Sequence, residues 1–152
     1  LRDPTNFGTT TVASATTRRQ IYATIFSSVS GTFTPDEEIN QASTGAVAKV
    51  IEFDSTNKIL YYYQTRFPDV GTDTNGNLTA ISGANAITGQ SSSASATPNT
   101  SSSATVNGVT FASGYANPEL AYDSGDIIYV EERSPITRAS DQTENVKLII
   151  EF

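Results

Sequence analysis

The sequence predicts an all-β fold, a two-layer antiparallel β-sandwich with long loops and little helix. Three observations carry that expectation. Apolar residues recur with period two in several short runs, the runs are separated by Gly, Pro, Asn and Asp turn chemistry, and almost no segment has a helical period. A length of 152 residues suits one β-domain over residues 1–152 and suffices for a genuine core. Within it, residues 31–67 stand out as a candidate small β-module and residues 90–105 as a flexible, low-complexity loop.

Leu1 to Thr17 is rich in Thr, Ser, Ala and Gly, and Asp3-Pro4-Thr5-Asn6 reads as a turn or an extended entry. From Arg18 to Val29, Tyr22, Thr24 and Phe26 share one face while Ile21, Ala23 and Ile25 share the other. Such a β-branched and aromatic run reads as a strand buried on both sides, near the sheet centre. Thr34-Pro35-Asp36 carries helix-start chemistry, but only Ile39 follows as an apolar residue, so an extended segment or a single turn is expected. Gly45 to Phe53 alternates Val47, Lys49, Ile51 and Phe53 against Ala46, Ala48, Val50 and Glu52. After Asp54-Ser55-Thr56-Asn57 the run Lys58 to Thr65 returns with Ile59, Tyr61 and Tyr63 on one face, which makes this the clearest hairpin in the chain.

Phe67 to Gly89 has only Leu78, Ile81 and Ile87 to bury and reads as a long loop with one short strand at most. Gln90 to Thr105 offers no large apolar side chain, so burial cannot offset its ordering entropy; it is expected to be mobile or pinned by a partner. Asn107-Gly108 between β-forming residues is a strong hairpin signal. At the end of the chain, Asp126 to Glu131 and Val146 to Phe152 read as two strands of one sheet, with Leu148 and Ile150 in the core. The polar connection between them, Glu132 to Asn145, is a place for partner contacts.

Sixteen acidic and nine basic residues give a formal charge of −7, and the basic residues do not cluster, which argues against a nucleic-acid partner. No apolar run approaches a membrane span, so no membrane partner is expected. The chain opens at Leu1 without an initiator Met or a charged-then-apolar leader, which reads as an excised or processed fragment. Zero Cys removes disulfides and thiolate chemistry, and zero His removes the commonest general base and metal ligand.

The remaining constellations give little chemistry. Asp36, Glu37 and Glu38 with Glu131 and Glu132 could pair as glycosidase carboxylates, but neighbours on a strand face opposite sides and no Trp is present to stack a sugar. Asp73-Thr74-Asn75-Gly76-Asn77 starts like a calcium loop, yet its glycine comes too early and Ala84 stands where the closing Glu belongs; a side-chain-stabilised turn is expected. No catalytic residue, cofactor or metal site is expected, and the chain is read as a non-enzyme. Tyr61-Tyr62-Tyr63 is the one aromatic cluster, and Tyr62 should face opposite to its neighbours, leaving one set for a partner. The candidate protein-interface residues are therefore Tyr61, Tyr62, Tyr63, Arg133, Arg138 and Asp141.

The run Y-V-E-E-R-S-P-I-T-R-A-S-D-Q-T-E-N-V-K-L-I-I-E-F, from Tyr129 to Phe152, closely resembles the C-terminal end of a baseplate wedge protein family of T-even-like contractile-tailed bacteriophages of the cyanophage type. A second block, Asp3 to Phe26, is similar to an earlier segment of the same family in the same order, so the resemblance spans almost the whole chain. Glu132 and Ser134 depart from the family's pattern. A shorter pattern, Phe33, Glu38-Ile39, Thr44-Gly45-Ala46 and Val50, resembles a small β-module of phage tail and baseplate proteins. The resemblance implies the C-terminal half of a structural wedge component, homodimeric in its full-length form, contacting other baseplate wedge proteins. It implies a virion location in the tail baseplate, with assembly in the host cytoplasm. The competing expectation is a carbohydrate-binding or depolymerising phage tail domain.

Overall fold

The computed structural model describes residues 3–17, 19–64, 71–121 and 124–126. They form nine strands: β1 (Tyr22–Ile25), β2 (Glu38–Gln41), β3 (Ala46–Asp54), β4 (Ile59–Tyr63), β5 (Ile87–Gly89), β6 (Ser95–Ala96), β7 (Thr105–Val106), β8 (Val109–Thr110) and β9 (Tyr115–Ala116). Seven of them make one sheet in the order β6-β5-β2-β3-β4-β1-β9, and β7 and β8 form a separate two-stranded sheet. Every strand pairing is antiparallel. The architecture is all-β and sandwich-like, and the described residues contain no helix. Of the two C-terminal strands expected at 126–131 and 146–152, all residues but Asp126 lie outside the described residues.

The β3–β4 hairpin forms where the alternation places it, and its turn is held by one carboxylate. Asp54 Oδ1 accepts the N–H groups of Thr56 and Asn57, each at 3.0 Å, the local bonding that makes Asp a turn residue. One bulge interrupts the simple alternation. The register jumps from Val50↔Tyr62 to Glu52↔Tyr61, so Ile51 is the extra residue of a β-bulge. Ile51 faces outward with Val47 and Lys49 and remains 41% exposed, and beyond the bulge the strand's facing is reversed, so that Phe53 packs with Val50 in the core. In the β7–β8 hairpin, Asn107 and Gly108 take φ of 49° and 76°, the positive pair that a two-residue primed turn requires. Asn107 Nδ2 then donates to Asp54 Oδ2 at 3.2 Å, so the tips of the two hairpins touch.

The large sheet closes on itself. Beyond β1, Phe26 bridges Pro98 and Ser30 bridges Ser95, which joins the β6 edge to the chain directly following β1. The enclosed face holds Phe26, Phe33, Ile39, Val50, Leu60, Tyr62, Ile81 and Ile87, together with Ala46, Ala48, Ala94 and Ala96. Alanines on strands that must approach closely leave room for the aromatic stack of Phe26 on Phe33 (6.0 Å) and the edge contact of Phe33 with Phe53 (5.5 Å). Period-two facing sends Ala23, Ile25 and Ile59 to the opposite side, where Val109, Phe111 and Ala116 cover them. β1 is thus buried on both faces, as its sequence predicts, but it is not central. It lies sixth in the order with β3 in the middle, and its double burial comes from the β7–β8 layer over its outer face.

The serine-rich stretch is the second place where the structure departs from the composition. Residues 90–105 contain β6, and Ala94, Ala96 and Pro98 are buried. What holds the segment is Glu37, only 5% exposed. Its Oε1 accepts Thr34 N–H (2.7 Å) and the Ser92 hydroxyl (2.7 Å), and its Oε2 accepts the N–H groups of Ser91 (3.1 Å) and Ser92 (2.9 Å). Gly89 makes room for this clasp, since a Cβ there would lie 2.5 Å from Ser92 Oγ and 2.7 Å from both carboxylate oxygens. Composition misleads here because the segment is ordered by hydrogen bonds to one buried charge and by close packing of methyl groups rather than by large side chains.

The clasp can be tested through stability in two ways. Burial pushes the Glu37 carboxyl up, but the N–H groups of Ser92, Thr34 and Ser91 and the Ser92 hydroxyl outweigh it and hold it below the ordinary 4.5. A depressed folded value means that the stabilisation is complete above the unfolded value and is lost as pH falls through the folded one. In urea titrations Glu37→Gln should cost about 2–4 kcal/mol at neutral pH, and the gap to the wild type should shrink steadily once pH drops below 4.5. Replacing residues 90–97 by an equal-length Gly/Ser linker should lower stability by about 2–4 kcal/mol, through the lost alanine methyls and the added chain entropy.

Candidate protein-docking face

Among the described residues, the outer face of the large sheet is covered at one end only, by the β7–β8 hairpin and its flanks packing on β1 and β4. Towards the start of β1 and the end of β4 lies a cleft of about 440 Å³, lined by Gln20, Ile21, Tyr22, Asp36, Ile51, Tyr63 and Gln64. Each wall has a local cause. Ile51 is there because alternation from buried Val50 places it outward, at the bulge. Tyr63 belongs to the Ile59/Tyr61 face of β4, and Ile21 to the Ala23/Ile25 face of β1. Gln64 is fixed by its own amide, which donates to Val47 O at 3.1 Å and Thr79 O at 2.8 Å.

Asp36 sits on the 34–37 turn with φ of 64°, in the left-handed region that non-glycine residues seldom occupy. Its N–H donates to Val50 O at 2.9 Å, which ties the turn to β3 beside the bulge. Its carboxylate is exposed and has no hydrogen bond or ion pair with the described residues. Neighbouring Glu37 turns inward to the clasp and Glu38 outward on β2, so the three successive acids share no site. Glu131 and Glu132 lie outside the described residues.

The three tyrosines separate as alternation predicts, with consequences for which can meet a partner. Tyr62 is 2% exposed and stacks on Tyr22 at 5.6 Å, so it is a core residue rather than an interface residue. Burial also pushes its hydroxyl pKa far up, with Tyr115 and Tyr22 adding to the effect. Tyr61 is half-buried against the β7–β8 layer; burial, then the Asp54 and Glu52 carboxylates, raise its pKa against the pull of Arg19. Tyr63 alone of the three lines the cleft. Arg133, Arg138 and Asp141 lie outside the described residues. Sequence reasoning missed Asp36 and Ile51 as displayed groups. A positive φ at a non-glycine residue and a bulge inside a clean alternation leave little trace in the residues themselves.

Arg19 holds the sheet side of this region together. Its guanidinium donates to the carbonyls of Ile21 (2.5 Å) and Asn117 (2.6 Å), while its buried Nε–H has no acceptor among the described residues. Burial lowers its pKa, partly offset by the charges of Glu119 and Tyr61. The Asp73 segment is a turn, as expected. Its carboxylate accepts the N–H groups of Asn75 and Asn77 at 2.8 and 2.9 Å, and no group of side chains among the described residues is arranged to hold a metal.

The cleft has apolar walls and a displayed carboxylate, and all its lining residues precede residue 82. Residues 82–152 match the family model Phage-Gp8, described as bacteriophage T4, Gp8. The baseplate wedge resemblance read from the sequence is borne out by that match. The Tyr129–Phe152 run falls inside the Gp8 match and the Asp3–Phe26 block outside it. No curated protein and no solved structure matches the chain. Within the fold, the Gp8-matched residues supply β5 and β6 at one end of the large sheet and β9 at the other, with β1 to β4 between them.

The tyrosine placement is tested by paired truncations. Tyr62→Ala should cost about 3–5 kcal/mol by emptying part of the enclosed core. Tyr63→Ala should cost less than about 1 kcal/mol, with both read from urea midpoints.

Proposed function

We propose that this chain is a structural component of a phage tail baseplate wedge, working through surface complementarity with neighbouring wedge proteins rather than through turnover. The match of residues 82–152 to Gp8 carries the reading. The fold supports it: a closed sheet with a second hairpin layer is a rigid platform, and its outer face offers a cleft and half-buried aromatic side chains suited to partner contact. In this reading the chain resides in the virion baseplate, self-associates in its full-length form and meets other wedge proteins. The composition is in keeping with a non-catalytic role, since the chain has neither His nor Cys to serve as base or nucleophile.

Reconstitution tests this directly. The protein, mixed with the other wedge proteins of its phage, is expected to co-sediment as a wedge complex, and an image of the assembled tail should place it in the baseplate. Its exclusion from the complex, or specific cleavage of a polysaccharide by the purified chain, would overturn the reading.

A further inference from the structure

We propose that the cleft beside the 34–37 turn receives an arginine side chain from a neighbouring, basic protein segment, with Asp36 pairing the guanidinium and Ile51 and Tyr63 packing its aliphatic stem. The inference rests on the scaffold reading above and adds the chemistry of the contact. Three independent features converge on one spot. Ile51 stands at the bulge in β3 on the outward side of the strand, where it remains 41% exposed. The turn next to it holds Asp36 at φ of 64° with a carboxylate that no described residue satisfies, although Glu37 beside it accepts four hydrogen bonds. The cleft between them has room for a long side chain and is walled by Ile21 and Tyr63.

Apolar walls ending, among the described residues, at a single carboxylate suit a residue that is apolar along its stem and cationic at its tip. Arginine fits better than lysine, because its planar fork pairs a carboxylate in two places and stacks on an aromatic ring. The charge of the chain favours a basic, foreign segment at this cleft. At −7 the protein steers a basic partner towards it.

A displayed random-peptide library, panned on the 152-residue chain and counter-panned on Asp36→Gly and Ile51→Ser, reads this out. Glycine takes the positive φ without strain, so Asp36→Gly should melt no lower than the wild type. Loss of binding in that variant therefore reports the carboxylate rather than the fold. Peptides retained by the wild type and lost by both variants should carry an arginine. They should bind Asp36→Gly roughly tenfold or more weakly, and added salt should weaken them on the wild type. Failure to recover any Asp36-dependent peptide, or recovery of Asp36-dependent peptides without a basic residue, would overturn the proposal. So would an Asp36-dependent dimer of the chain in sedimentation, which would make the occupant a second copy. Assembly into the wedge without an Asp36-dependent peptide would sink this inference alone. Exclusion from the wedge with Asp36-dependent binding retained would sink the scaffold reading and leave the cleft chemistry standing.

Discussion

The buried carboxylate of Glu37 is the interaction on which the rest of the architecture depends. A two-residue strand with serine and alanine side chains has almost nothing to bury, yet β6 is the strand through which the sheet reaches round to Ser30. Its position is set by the turn before it, and that turn is set by the N–H groups of Ser91 and Ser92 meeting the Glu37 oxygens. Closure in turn encloses Phe26, Phe33 and Tyr62. A charge-assisted cluster of hydrogen bonds thus stands where a larger protein would use a longer strand.

The same few residues set the difference between the two faces of the sheet. The 34–37 turn sends Glu37 inward and displays Asp36 outward, and Asp36 N–H is bonded to the carbonyl of Val50, next to the bulged Ile51. Inner closure and outer cleft are built on one short stretch of backbone. A shift in the turn that loosened the clasp would also move the wall of the cleft, which couples the rigidity of the core to the shape of the contact surface.

Where the sequence was readable, local chemistry and global packing asked for the same thing. The β3–β4 hairpin has an Asp-led turn between two alternating runs, and the β7–β8 hairpin has Asn107-Gly108; both form where their residues place them. The Asp73 turn was legible for the same reason, because its carboxylate bonds its own backbone. Legibility failed where order came from distant partners. Nothing local in residues 90–105 reveals that Glu37 waits more than fifty positions earlier to bind Ser92. The burial of β1 on both faces was visible, but not its place in the order, because a second layer and a central position leave the same apolar pattern. Of the tyrosine trio the alternation was visible and the choice of inner face was not, since Tyr61, Tyr62 and Tyr63 are chemically identical.

The arrangement of the Gp8-matched strands at both margins of the sheet, with β1 to β4 between them, has a consequence for how such a protein can be divided. The stretch that sequence comparison recognises and the unit that folds are different objects. Cut at residue 82, the recognisable part would keep β5, β6 and β9 but lose the strands that pair with β5 and β9, exposing unsatisfied backbone along both edges. Any exchange of modules within such a lineage would have to carry the whole sheet across, so heredity and excision alike must treat the less recognisable strands as inseparable from the recognisable ones.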